Sequence, residues 1–527
     1  MAGSRALLAG FVLAGVVLRC AGLGWGIPSI AAEATPLRSS YHFDEDDYLW
    51  TLARATSPYE VGDLHWGTLQ LYLIRAALAC SHAAGWLSRP WRDAFVYRDP
   101  VDFPRVYYAA RAVSALAGIA TLGVVFLLGR RLRDAESGLA AAAIVAVSPL
   151  HVVMSHFLTA DVTMVLLLVA ALHCFVASLD DSRAAPVVLA GALFGLAVAA
   201  KYNAAWLFPL WPARDLTRGP HGWKVKAAGY AAMAAGFIAG EPYGALHPAR
   251  LARVIHEAHL APQSTAAPYL LRPMELFIVQ VKSLGWYGLG VTAAVLAAAG
   301  VLACVARPDR KLSAFARPDD GKRVGWSSRA PSKRLALLAS ILLLAASLPA
   351  ARWPMARYTL PLVPVLAAVG ALAVPPRWSE RRRIAAYLAA VALPLIYSAA
   401  QVAILCGEHP ADAARAWIER NAAAGSRIGQ IWSDLPPLDR RRYDVRTLHP
   451  FPNDVEEASD LDRDLLVVDD LPLSSWSERF AARLSARYTL AAEFRREPRL
   501  GPWRIPEPAA PHDWKYTHPV VRIYTRR

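Results

Sequence analysis

Apolar residues along this chain come in long blocks divided by short polar or basic punctuation. A helix needs about 20 mainly apolar residues to cross the hydrocarbon core of a bilayer. Blocks at 6–30, 107–128, 137–154, 161–178, 184–200, 203–212, 225–240, 277–305, 335–349, 360–374 and 384–405 reach that length or approach it. The pattern predicts about eleven membrane spans. The first block follows a lone Arg5 and is long for the apolar core of a cleaved signal, so it is expected to remain as the first span. Residues 28–104 form a long polar loop. Within it, 65–87 is amphipathic and carries Arg75, which suits a helix lying on the membrane surface.

Beyond residue 405 the pattern changes. Residues 411–421 suit an amphipathic helix, and 427–432 and 465–470 suit buried strands flanked by turns. The expected fold class is therefore an α-helical polytopic membrane protein over residues 1–405, with a small C-terminal α/β domain over 406–527. No internal repeat is visible.

Composition sharpens this picture. Only 19% of the 527 residues are charged, below the roughly one quarter of a soluble protein, and mean hydropathy is +0.28. Residues 405–527 carry 19 basic and 19 acidic groups, so the whole net charge of +15 lies in the apolar part. With the N-terminus in the cytoplasm, the clusters at 130–133, 183, 214–226, 307–334 and 377–383 all fall inside, as the positive-inside rule requires. Loops 28–104, 155–160, 245–275 and 351–358, and the tail, then fall outside. The expected location is the inner (plasma) membrane, and a nucleic-acid partner is not expected. The five cysteines show no metal or disulfide spacing.

The strongest local chemical signal is Tyr41-His42-Phe43-Asp44-Glu45-Asp46-Asp47-Tyr48. Four adjacent carboxylates disfavour full ionisation, so at least one is expected to have a raised pKa and to suit proton abstraction. A solvated acidic loop is the plain alternative. Charged residues at span ends are functional candidates because they are expensive unless used. The topology puts Asp44, Arg111, Asp161, Lys201 and Arg357 near one interface. Snorkelling to headgroups is the plain alternative for the cations, and a hydrogen-bonded helix end is that for His156.

These residues carry a family resemblance. An acidic pair in a long first external loop resembles the GT-C glycosyltransferases, and in particular the dolichyl-phosphate-mannose protein mannosyltransferase-like enzymes that use a phospholipid carrier. Tyr108–Leu116 resembles the start of the family's second span, Ser155–Asp161 an external turn, and Gly195–Asn203 a Lys-bearing turn. Ala356–Leu362 resembles its Arg-Tyr-x-x-Pro element, and Asp412, Arg415, Trp417 and Ile418 sit as in the tail of many bacterial members. His65-Trp66-Gly67-Thr68 departs from the family's His-Pro-Pro-like turn. The resemblance implies Asp44 as catalytic base with Glu45 beside it. It implies substrate binding by Arg111, which contacts the donor phosphate, and by Asp161, Lys201, Tyr202, Arg357 and His156.

The implied activity is inverting transfer of a monosaccharide from a polyprenyl-phosphate carrier to a hydroxyl of a glycan, lipid or protein acceptor at the outer face. No cofactor is demanded, and a divalent metal held by the carboxylates with His42 or His156 is left open. The rival classes are a transporter or lipid-linked-glycan flippase, and a non-catalytic scaffold. A transporter is expected to show repeats or broken helices in matching halves.

Overall fold

The structure is a computed structural model describing residues 2–28, 40–57, 59–60, 65–216, 221–257, 272–306, 333–350, 354–431, 434–448, 462–471 and 478–527. Parts of the loops named above, at 29–39, 61–64, 258–271, 307–332 and 351–353, lie outside the described residues.

In chain order the first helices are α1 (Ala2–Cys20), α2 (Phe43–Arg54), α3 (Leu69–Ala83), α4 (Trp91–Val96), α5 (Asp102–Leu132), α6 (Ala135–Ala146) and α7 (Pro149–Met154). Next come α8 (Asp161–Ser178), α9 (Ala184–Ala200), α10 (Leu210–Leu216), α11 (Trp223–Gly240), α12 (Pro242–Leu246) and α13 (Pro248–Ile255). Then follow α14 (Pro273–Ser283), α15 (Val291–Ala306), α16 (Lys333–Ser347), α17 (Leu362–Ala373), α18 (Glu380–Leu405), α19 (Pro410–Asn421) and α20 (Glu478–Arg487).

Several apolar blocks are broken where the sequence was read as continuous. The helix expected over 6–30 stops at Cys20, because Gly22 and Gly26 take φ of 87° and 63° and turn the chain so that Trp25 is buried. The 137–154 block is two helices, α7 restarting behind a Ser148 cap with Pro149 in its first turn. The short span expected over 203–212 is a 3₁₀ turn at Tyr202–Leu207 followed by α10; Lys201, in extended conformation, ends α9 before it. The 277–305 block is α14, a π turn at Leu284–Gly288 and α15, bent by 117° at the break.

Among the described residues, four helices are long and apolar enough to cross a membrane, or five if the bent pair is one span; four shorter apolar helices accompany them. The polytopic helical fold is thus present. The figure of about eleven is not reached by length and composition, because these breaks shorten the helices.

Small residues let helices approach closely. α9 packs along α11, and a Cβ placed on Gly195 would lie 2.0 Å from the Met233 carbonyl oxygen.

The tail holds a mixed five-stranded sheet of order β2-β1-β3-β7-β4: β1 (Arg427–Ile431), β2 (Asp444–Leu448), β3 (Leu465–Asp469), β4 (Tyr488–Phe494) and β7 (Val521–Arg526). Strands β5 (Arg499–Leu500) and β6 (Trp503–Arg504) form a separate hairpin. β1 pairs in parallel with β2 and β3, and β7 runs antiparallel to β3 and β4. The expected strands are therefore β1 and β3, with Trp432 outside the described residues. Leu471, Trp514 and Tyr516 of the tail join the same apolar cluster as Tyr287, Tyr397 and Leu405 of the helical part.

Candidate active site

The acidic run folds as the first turn of α2, where carboxylates face the positive helix end. Asp44 and Glu45 project into different surroundings. Glu45 is fully buried and meets Arg111 of α5 through two bonds, Nε to Oε1 at 2.8 Å and Nη2 to Oε2 at 2.6 Å. Ser40 Oγ donates to Glu45 Oε2 at 2.5 Å, and the Leu158 N–H to Oε1 at 3.2 Å. Arg111 also donates through Nη1 to the carbonyls of Leu23 and Trp25, each at 2.6 Å. This arginine is therefore saturated and has no exposed side-chain surface. It ties α5 to α2 and to the chain leaving α1.

Asp44 pairs through Oδ2 with Nη1 of Arg357, which lies on a 3₁₀ turn at Ala356–Thr359 before α17. Lys201, ending α9, bonds Asp161, opening α8, at 2.7 Å. The two pairs sit in one electrostatic neighbourhood: Lys201 acts on Asp44, and Asp161 acts on Arg357. Side-chain exposure ranks what a ligand can reach: 19% for Asp44, 13% for Lys201, 12% for Arg357, 3% for Asp161 and none for Glu45 or Arg111.

The expectation of a raised carboxylate pKa is corrected for this pair. Burial raises the value for Asp44, but the Arg357 guanidinium and other nearby charges outweigh it and hold the carboxyl at about 2. Burial likewise opposes ionisation of Glu45, and Arg111 overrides it to bring that carboxyl below its usual range. Each acid faces an arginine, and that opposite charge outweighs repulsion along the run.

α5 also sets the scale. At about 1.5 Å of rise per residue, Arg111 and Arg130 lie roughly 28 Å apart along the helix, about a hydrocarbon thickness. The basic cluster thus sits at the opposite end from the ion pairs. There Arg133 donates to the Val374 carbonyl at 2.8 Å and Arg383 pairs with Glu136 at 2.7 Å.

Two residues implied by the resemblance have other partners. Tyr202 directs its hydroxyl to Glu241 Oε2 at 3.2 Å. His156 is buried, with Nδ1 2.9 Å from the Val152 carbonyl and Nε2 2.7 Å from that of Ala21, the arrangement of a helix-end histidine. Its ring nitrogens are thus committed to the backbone.

Several residues around the pairs escaped the sequence reading. Glu241 also accepts from the Thr68 N–H at 2.8 Å, and a Cβ on Gly67 would lie 1.9 Å from the Ala199 carbonyl oxygen. The His65–Thr68 turn therefore fastens the ends of α9 and α11 together. Among the described residues, His42 Nδ1, Thr159 Oγ1, Asn203 Oδ1, Arg357 Nε and His512 Nδ1 are buried without a hydrogen-bond partner. Four of these neighbour Asp44, Asp161 and Lys201 in sequence or belong to the Asp44 pair. His512, from the tail, feels both Arg357 and Asp44. Buried polar atoms are rarely left unsatisfied; such atoms also occur elsewhere among the described residues, at Arg19 Nε and Trp211 Nε1 for example, and those beside the ion pairs are available to a ligand. Their proximity to charged motif residues was the available signal for the first four; none existed for His512. Among the described residues no group of three or more His, Cys, Asp or Glu converges to hold a metal.

Residues 104–235 match the family described as dolichyl-phosphate-mannose-protein mannosyltransferase. No curated protein matches in sequence. Among solved structures, ArnT from Cupriavidus metallidurans in the apo state aligns at TM-score 0.52 and 12% identity, covering 99% of this chain and 98% of that one. The same protein bound to undecaprenyl phosphate aligns at 0.52 and 14%, covering 98% of each chain. The Archaeoglobus fulgidus oligosaccharyltransferase in complex with zinc and sulfate aligns at 0.50 and 16%, covering 93% of this chain and 72% of that one. These likenesses show the fold. The family match over residues 104–235 bears out the resemblance read from the motifs and the glycosyltransferase class.

Proposed function

We propose that this glycosyltransferase moves a monosaccharide from a polyprenyl-phosphate carrier to an acceptor hydroxyl at the outer face of the membrane, with Asp44 as general base. The observation that carries the reading is the Asp44–Arg357 pair beside Lys201–Asp161: a partly reachable carboxylate among partly reachable cations, with unsatisfied polar atoms on Arg357 itself and on His42 and His512 nearby. The family match supports the class, and ArnT, which shares the fold, was solved with undecaprenyl phosphate.

The geometry supports a sequence of events. In the free enzyme Arg357 holds Asp44 ionised but weakly basic. The donor's phosphate competes for Arg357 and Lys201, both suited to phosphate as charged donors. As Arg357 turns to the phosphate, burial is left as the main influence on Asp44, and burial raises its proton affinity. Donor binding thus prepares the base.

The acceptor hydroxyl gives its proton to Asp44. Its oxygen forms a bond to the anomeric carbon as the bond from that carbon to the phosphate oxygen breaks. The polyprenyl phosphate leaves as an anion stabilised by Arg357 and Lys201. A phosphate leaving group needs little protonation, so no separate acid is required. Arg111 and Glu45 fix the first turn of α2 that carries Asp44, and Asp161 orients Lys201. Tyr202, held by Glu241, and His156 shape the surrounding wall.

The test uses purified protein in liposomes with a panel of polyprenyl-phosphate sugars and hydroxyl acceptors. Release of polyprenyl phosphate that falls by a factor of about 10² to 10⁴ in Asp44→Asn supports the reading. Unchanged release in that variant, or no release by wild type from any donor, contradicts it.

A further inference from the structure

The cation paired with Asp44 is not positioned by the helical part alone. Arg357 lies on a short 3₁₀ turn of four residues, Ala356–Thr359. The carboxylate of Asp513 reaches that turn from the soluble tail. Its Oδ1 accepts the Ala356 N–H at 2.8 Å and its Oδ2 accepts the Arg357 N–H at 2.9 Å. Asp513 is 1% exposed. A bidentate carboxylate on two successive N–H groups fixes both the position and the rotation of that peptide segment. The point from which the Arg357 side chain departs toward Asp44 is then set.

Asp513 is itself held on several sides. It belongs to a 3₁₀ segment, His512–Thr517. Next to it Trp514 is fully buried, its ring 4.9 Å from Tyr287 and 6.0 Å from Tyr397, and its Nε1 donates to Glu507 Oε1 at 2.8 Å. Gln401 Nε2 donates to the same oxygen at 2.6 Å, which clamps the segment to α18. At the far end the Thr517 carbonyl accepts from Trp25 Nε1 at 3.1 Å. The Tyr516 ring lies 5.2 Å from His42, two residues before Asp44. One tail segment therefore touches the turn carrying the cation and the residues leading to the base.

We propose that Asp513 is a positioning residue for transfer, holding Arg357 in register with Asp44 so that the tail completes the site. This rests on the proposed role of the Asp44–Arg357 pair. Asn at 513 offers one acceptor in place of two and turns an amide donor toward the second N–H, so it disturbs the turn with little change in volume. Ala356→Pro removes one of the same two bonds from the other partner. Met355, with ψ of 130°, already has the extended backbone favoured before proline.

The experiment measures kcat and donor KM in liposomes for Asp513→Asn and Ala356→Pro, each alone and in an Arg357→Gln background. The expected result is a kcat loss of about 10- to 100-fold for Asp513→Asn and for Ala356→Pro, with donor KM moving much less. Neither should cause further loss once Arg357 is replaced.

The proposal is overturned by wild-type kcat in Asp513→Asn. It is equally overturned by wild-type kcat in Ala356→Pro or by an undiminished loss in the Arg357→Gln background. Failure of the functional reading would show instead as absence of Asp44-dependent transfer by the wild type.

Discussion

At the scale of single residues, the chemistry turns on which charges are saturated. Arg111 and Glu45 form a buried pair with further hydrogen bonds, so removing either partner leaves an uncompensated buried charge. Such a pair suits holding α2 in place more than gripping a substrate. Arg357 and Lys201 retain some exposure and face the exposed member of the acidic pair.

The Asp44 carboxyl, held at about 2, lies below its ordinary unfolded value of about 3.9. Its pairing therefore stabilises the fold above about pH 4, and that contribution is lost as pH falls towards 2. The same sign governs catalysis. With Arg357 replaced by Gln, the lowering charge goes and burial remains, so the acid limb of kcat/KM should move up, to above about pH 4. A pH–rate profile of the variant checks this; a limb where wild type has it would mean that Arg357 does not tune Asp44.

At the scale of elements, charge position in the sequence was informative because apolar blocks make their charged ends conspicuous. Asp161, Lys201 and Arg357 all stand at such ends; Lys201 pairs with Asp161, and Asp161 acts on Arg357. Helices α8 and α9 coincide with the blocks that forecast them. The breaks were harder to see. Gly22, Gly26 and Gly290 take positive φ, and an apolar block does not reveal which of its glycines turns the chain.

Partners across the chain were equally hidden. Nothing local in Glu45 names Arg111, and nothing in Thr68 names Glu241. The α9–α11 seam gives a direct check on packing. Gly195→Val puts a branched side chain where a Cβ already meets the Met233 carbonyl at 2.0 Å, so it should destabilise the protein by about 1–3 kcal/mol or more. Thermal unfolding in detergent measures it; a transition at the wild-type temperature would refute the close approach.

At the scale of the whole molecule, the sequence separates an apolar part from a balanced tail, and the sheet expected there is present. What it could not show is that the tail shares a core with the helices and sends Asp513 to the Arg357 turn and Tyr516 to His42. That arrangement depends on contacts more than a hundred residues apart, such as Ala356 with Asp513. With α5 spanning roughly a bilayer between Arg111 and Arg130, one end of the molecule gathers the ion pairs and the tail, and the other gathers the basic cluster.

Within the ion-pair network Asp44 is the most exposed carboxylate, while Glu45 and Asp161 are committed to Arg111 and Lys201. With Asp44 taking the acceptor's proton, the proposed transfer is a single displacement by the acceptor. The anomeric configuration of the transferred sugar, read by NMR against that of the polyprenyl-phosphate donor, tests this directly. The account predicts inversion; a retained configuration would contradict Asp44 as the base of a one-step transfer.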